Sequence, residues 1–287
     1  MEPGFFDRVE RVELELAGKK WQLPIFYRAA RMLTLVLPAN YLALRKMLPD
    51  VRYRPAQTAP GVGAIHLTAF EYYDTDVEPY NEFAIGIMVN NPNFMAVPAY
   101  NMLRQLVQNQ FYTYIHHLPV TTELALRAGI DFYNYPKLIT SIDFEDTDDW
   151  MTCRLAEGDD LICRLKGRKV NAPRSGIMKF FCQLYDEDQP QQAEMKINAR
   201  KFTVLQGPGN GELELGTSHP FALELKKALL TTMPAIYMYV PDMQAILYGP
   251  EHLSFTTIAN LMNQSLGVDL EQVGKLLGRE REYAVKE

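Results

Sequence analysis

Val12-Glu13-Leu14-Glu15-Leu16 alternates apolar and acidic residues, the period-2 signature of a half-buried antiparallel strand. Strand-length apolar runs recur at 33–37, 63–72, 83–89, 122–128, 154–155, 161–165, 195–205 and 236–247, most of them bounded by Pro, Gly, Asn or Asp. Helical periodicity is scarcer. It predicts a short helix over 40–47 capped by Asn40, and a second over 100–110 with Leu103, Leu106 and Val107 on one face. A third starts at Pro220 and runs to about 231, and a charged helix is expected over 269–283. The stretches 55–61 and 186–192 read as surface loops, and no internal repeat or flexible linker interrupts the chain. The pattern predicts an α+β, mostly antiparallel chain: a closed or nearly closed β-barrel-like sheet system with a few outer helices. A single domain is expected over 1–253, followed by a helical extension over 254–287.

Composition narrows the function. The 287 residues are 47% hydrophobic, enough to bury a substantial core. With 29 Lys+Arg against 35 Asp+Glu, the net charge of −6 argues against a nucleic-acid partner. The longest apolar runs, such as 83–89, are far below the ~18 residues of a membrane span. Met1-Glu2-Pro3-Gly4 leads into no apolar run, and Cys153, Cys163 and Cys182 form neither an even framework nor a CxxC pair. A cytoplasmic chain with reduced thiols is expected.

Several constellations fail as signatures. Five histidines include the pair His116-His117, but no HxH, HExxH or His/carboxylate spacing accompanies it. Consecutive strand residues face opposite ways, so the pair is expected not to chelate, and no metal or other cofactor is expected. Gly207-Pro208-Gly209-Asn210-Gly211 lacks the strand–helix setting of a phosphate loop and reads as a turn. No GxSxG elbow is present. The 13 Met and 30 Phe and Tyr residues fit an ordinary core as well as a roomy apolar pocket.

The informative stretch is Glu123-Leu-Ala-Leu-Arg-Ala-Gly129-Ile-Asp-Phe-Tyr-Asn-Tyr135-Pro136-Lys137. A glutamate, a glycine six residues on, and a Tyr-Pro-Lys whose lysine lies eight residues after the glycine together resemble the acetoacetate decarboxylase family. Pro79-Tyr80-Asn81-Glu82 resembles that family's Tyr-x-Glu, Ala43-Leu44-Arg45-Lys46 with Leu48-Pro49 its first helix, and Glu212-Leu213-Glu214-Leu215 a late strand. The likeness spans roughly residues 20–250. It implies a barrel in which Lys137 forms a Schiff base, Glu82 acts beside it as acid/base, and a small keto acid or related carbonyl compound is bound. It also implies a homo-oligomer. Tyr80, Glu123, Tyr135 and Phe132 are the expected substrate neighbours.

The chemistry suits those residues. A β-keto acid loses CO2 readily once an amine turns its ketone into an iminium, which takes up the electrons of the breaking bond. A free lysine titrates near ~10.4, and burial disfavours its ammonium form. The chain departs from the family at three points. One is a longer segment between Glu82 and Glu123, which reads as a surface helix or oligomer contact, or as a remodelled pocket rim for a larger substrate. Leu138 stands where the decarboxylase has a second lysine, which leaves burial by Leu138, Ile139, Phe132, Tyr133 and Tyr135 to activate the amine. The arginine that would hold a carboxylate aligns with Ala30, and Arg28 and Arg31 are the nearby candidates. Three readings follow: a carbon–carbon lyase decarboxylating a β-keto acid, a relative with aldol, dehydratase or hydratase chemistry, and a non-catalytic small-ligand-binding barrel.

Overall fold

The computed structural model describes residues 4–16, 19–93, 96–186, 189–206 and 208–252. The extension expected over 254–287, with its helix, lies outside the described residues. In chain order, a hairpin of β1 (Val12–Leu16) and β2 (Lys19–Leu23) leads into β3 (Ile25–Asn40), α1 (Tyr41–Met47), β4 (Val62–Thr75) and β5 (Tyr80–Met88). Then come α2 (Tyr100–Gln108), β6 (Gln110–Val120), α3 (Glu123–Tyr133) and β7 (Lys137–Ile139). β8 (Ser141–Asp146), β9 (Trp150–Glu157) and β10 (Asp160–Arg168) precede the long pair β11 (Arg174–Asp186) and β12 (Gln189–Gln206). β13 (Gly211–Leu215), α4 (Pro220–Ala228), β14 (Ile236–Leu247) and β15 (Glu251–His252) complete the described chain.

Seven strands close a barrel in the order β11-β12-β14-β3-β4-β5-β6, with β6 returning to β11 through a parallel pairing. Parity along β3–β5 explains why these strands read as apolar runs. Met32, Phe70, Tyr72, Tyr80 and Ala84 belong to the core inside the barrel. Their neighbours Leu33, Leu35, Leu67, Ala69, Phe83 and Ile85 join a second core under the outer sheet β13-β10-β9-β8. Strands buried on both faces lose the polar alternation that β1 keeps.

The segment 122–128 is a helix rather than the expected strand. Thr122 caps it by accepting from the Ala125 amide, and the residues that follow are strong helix formers. Leu124, Leu126 and Ala128 mimic a period of two by chance, while Ala125, Ala128 and Gly129 form the face that is buried. Asn134, in the left-handed region at φ 52°, ends the helix by donating its amide back to Gly129 and Ile130. That reversal delivers Tyr135-Pro136-Lys137 to the barrel edge. The helices expected from 40, 100 and 220 form as α1, α2 and α4. Among the described residues, no helix is long and apolar enough to cross a membrane.

Candidate active site

β6 has one edge shared by two parallel partners, β11 along its first half and β7 along its second. Lys137 pairs with Leu118 from that side, and Glu82 pairs with Val120 from β5 on the other side. Leu118 and Val120 are two residues apart, so Lys137 and Glu82 share the face that looks into the barrel. Two strand spacings separate their backbones by about 9–10 Å, a gap the lysine stem bridges. Lys137 Nζ lies 2.8 Å from Glu82 Oε2, with the two side chains 6% and 9% exposed.

Tyrosines surround the carboxylate. The Tyr72 hydroxyl donates to Glu82 Oε1 at 3.2 Å and that of Tyr80 to Oε2 at 3.4 Å, with Tyr27 3.3 Å from the Tyr80 oxygen. Burial, reinforced by the Glu82 charge, pushes Tyr27, Tyr72 and Tyr80 well above the ordinary phenol range, so all three remain hydrogen-bond donors. The Lys137 ammonium position is 5.5 Å from the Tyr80 ring centre. A largely apolar cavity of about 720 Å³ opens onto the pair, walled among others by Ile25, Met32, Val77, Tyr133 and Leu247. The arrangement can pass a proton between amine and carboxylate, exclude water from the amine, and present phenol donors to a bound oxygen.

The structure brings together Lys137, Glu82, Tyr80 and Tyr135 as cavity residues and leaves the other expected neighbours outside. Glu123 is exposed in the first turn of α3, paired with Arg127 at 3.1 Å. Phe132 points to the other side of that helix and packs edge-on against Trp21. Arg28 is held by Asp76 and Asp74, and Arg31 by Glu71 and Asp146, the last at 2.7 Å. Neither arginine lines the cavity. Two register shifts between Tyr27 and Ala30 break the parity that gave Arg28 an inward direction. Arg31, between the inward Ala30 and Met32, faces out as alternation requires. Ala30 itself is buried in the inner core. Leu138 also stays out of the cavity, as strand alternation requires.

Residues without a sequence motif complete the site. Tyr72 could have been found only from the hairpin register that sets Tyr72 opposite Tyr80 and Phe70 opposite Glu82, and Tyr27 only from the pairing of β3 with β4. His66 closes the cavity's inner end: its Nε2 is 2.7 Å from Thr113 Oγ1, its Nδ1 3.1 Å from Thr68 Oγ1, and Thr68 reaches Thr34 at 3.0 Å. Burial holds His66 down at about 4, neutral near pH 7. Beyond this polar rung a second cavity of about 600 Å³ is lined by apolar residues such as Val36, Met88, Met102, Phe111 and Met238, with His66, Thr113 and Phe180 common to both.

The expectation that His116 and His117 face opposite ways is wrong. Ile85 pairs with His117 but Gly86 with Ile115, so β6 carries a bulge at His116. Ile115 and Leu118 both line the cavity, and the two histidines between them turn outward together. Both reach Glu224 of α4.

A model of the family described as acetoacetate decarboxylase matches residues 14–249. No curated protein sequence matches the chain. Among solved structures, an acetoacetate decarboxylase from Legionella pneumophila superposes with a TM-score of 0.56 at 11% identity, covering 80% of this chain and 87% of that one. An acetoacetate decarboxylase-like enzyme from Sphingomonas wittichii RW1 gives 0.54 at 17% identity, covering 84% and 98%. The enduracididine biosynthesis enzyme MppR, complexed with pyruvate, gives 0.54 at 10% identity, covering 82% and 91%. At these identities the likeness is one of fold.

Proposed function

The chain belongs to the acetoacetate decarboxylase family, and from that premise we propose that it is an imine-forming lyase that decarboxylates a β-keto acid through Lys137. The observation that carries this reading is the 2.8 Å contact between Lys137 and Glu82, both nearly inaccessible to water, at the wall of an apolar cavity. Glu82 takes a proton from the Lys137 ammonium, and the free amine adds to the substrate ketone. Loss of water gives an iminium. The bond between the α-carbon and the carboxylate breaks, its electrons pass toward the iminium nitrogen, and CO2 leaves an enamine. The proton that Glu82 took has left with the lost water, so a proton from solvent, relayed by Glu82, adds to the α-carbon. Water then hydrolyses the resulting iminium to the ketone and the Lys137 ammonium. Moving a carboxylate from water into the apolar cavity favours its conversion to neutral CO2. The apolar walls support a substrate with an apolar substituent.

Borohydride reduction in the presence of a β-keto acid or pyruvate should add the ligand's mass to the peptide carrying Lys137, and Lys137→Ala should abolish it. Label that persists in the variant sinks the assignment to Lys137, and no label in the parent protein leaves a non-catalytic binding barrel. Glu82→Gln should lower turnover by roughly 10²–10⁴ while imine formation persists.

A second reading is imine chemistry other than decarboxylation. It is favoured by the absence of any arginine among the described residues lining the cavity. The pyruvate complex of MppR supports a keto acid under either reading. Release of CO2 from trapped substrate separates the two. We also read the protein as a cytoplasmic homo-oligomer. Its three buried free cysteines and the exposed Tyr100, Leu103 and Val107 of α2 support this, and sedimentation as a monomer at micromolar concentration contradicts the second part.

A further inference from the structure

Three side chains outside the lysine cavity converge between the barrel and α4. His116 Nε2 lies 3.0 Å from Glu224 Oε2, and His117 Nε2 lies 3.2 Å from the same oxygen. The three potential ligand atoms all fall within 4.8 Å of one another. Nitrogen and oxygen ligands sit about 2.0–2.2 Å from zinc, which sets them about 3.3–3.6 Å apart around a tetrahedron. Small rotations of three side chains separate the observed arrangement from that one.

Two independent features hold the trio. The bulge in β6 turns consecutive histidines to one side of the wall, something a regular strand cannot do. Phe221, one turn before Glu224 on the same helix, stacks on the His117 ring at 3.7 Å and 16° and fixes its direction. The imidazoles are largely covered, at 14% and 19% exposure, while Glu224 at 37% leaves an opening toward solvent. His219 is nearby but committed elsewhere: its Nδ1 accepts from the Phe221 amide and its Nε2 bonds Glu157 at 3.0 Å. Water would therefore be the fourth ligand.

We propose that His116, His117 and Glu224 form a binding site for a borderline divalent transition metal of the zinc type. Two imidazoles and one carboxylate suit such an ion, whereas magnesium and calcium call for oxygen ligands throughout. The ion binds the two Nε2 atoms, whose ring protons move to Nδ1, and one carboxylate oxygen. It fastens α4 to the outer side of the β6 wall, whose inner side contributes Ile115 and Leu118 to the lysine cavity.

The test is calorimetric titration of zinc chloride into the full-length protein after EDTA treatment, with cobalt(II) absorption as a second readout. One ion per chain, bound at micromolar concentration with a tetrahedral cobalt spectrum, is expected. Glu224→Gln keeps an oxygen that accepts both histidine hydrogen bonds, so it preserves the fold; it should weaken binding roughly tenfold or more, as should His116→Ala. Melting curves in EDTA check that both variants are folded. No binding step in the parent protein, or a step of equal affinity in both folded variants, overturns the proposal. Imine trapping at Lys137 in the metal-free protein reads the proposed lyase function separately.

Discussion

At Gly129 the lack of a side chain is what admits the lysine. A Cβ there would sit 2.2 Å from Lys137 Cε and 2.3 Å from Cδ. Alanine favours a helix over glycine by about 0.8–1.0 kcal/mol, so Gly129→Ala should leave α3 formed while displacing the lysine stem. Imine formation should slow at least tenfold (roughly 1.4 kcal/mol or more) without a comparable loss of melting temperature. Trapping at the parent rate would show that the stem takes another path. His66 makes a different prediction. Its folded value of about 4 lies below the ordinary 6.5, so between these pH values the unfolded chain binds the extra proton. The stability contributed by neutral His66 is complete above about 6.5 and is lost as pH falls toward 4. The loss is on the order of 3 kcal/mol. Melting curves recorded across that window should fall less steeply in His66→Gln, which keeps a partner for Thr113. An identical slope in both proteins would assign the acid sensitivity to other groups. Nothing in the sequence marked His66 beyond its place in an apolar run, because its role comes from Thr113 on a strand far along the chain.

At the scale of elements, Lys137 and Glu82 were legible because the Tyr-Pro-Lys and Tyr-x-Glu runs carry their spacing on the surface of the sequence. What joins them was not: β6 stands between them, and the parallel pairing of β7 leaves no local pattern. Parity failed where strands bulge. One register shift in β6 brings His116 and His117 to the same side, and two between Tyr27 and Ala30 turn Arg28 toward surface carboxylates. The helix α3 was hidden for another reason, since Thr-Glu-Leu-Ala-Leu fits periods of 2 and 3.6 alike over so few residues. The deciding signal was Thr122, a strong N-cap ahead of helix formers. Thr122→Ala should cost about 1 kcal/mol, read as a lowered denaturation midpoint at unchanged slope, and should reduce the rate of imine trapping by loosening the helix over Lys137. An unchanged midpoint would mean that packing of Ala125, Ala128 and Gly129 alone sets the helix.

Across the whole molecule, closing the barrel while burying both faces of β3–β5 creates two cores. The outer one is filled by the β8–β10 and β13 sheet, and the inner one keeps two voids on either side of the His66–Thr113 rung. The barrel was expected from the strand pattern, but a hollow interior could not be, since the same methionines and aromatics would serve a solid core. Helix α2 closes the far void with Met102 and Leu106, which gives the segment after β5 a role inside the barrel as well as on its surface. A ligand bound at Lys137 would extend an apolar substituent into that void by turning His66 out of its rung with Thr113. Each added methylene buried there is worth about 0.8 kcal/mol, roughly fourfold in affinity. A series of β-diketones of increasing alkyl length should therefore bind more tightly with length until the second void is filled. Met102→Trp fills it from α2 and should flatten the series while leaving trapping of the shortest diketone at Lys137 unchanged. A series already flat in the parent protein would confine the substrate to the first cavity, and with it to a small keto acid.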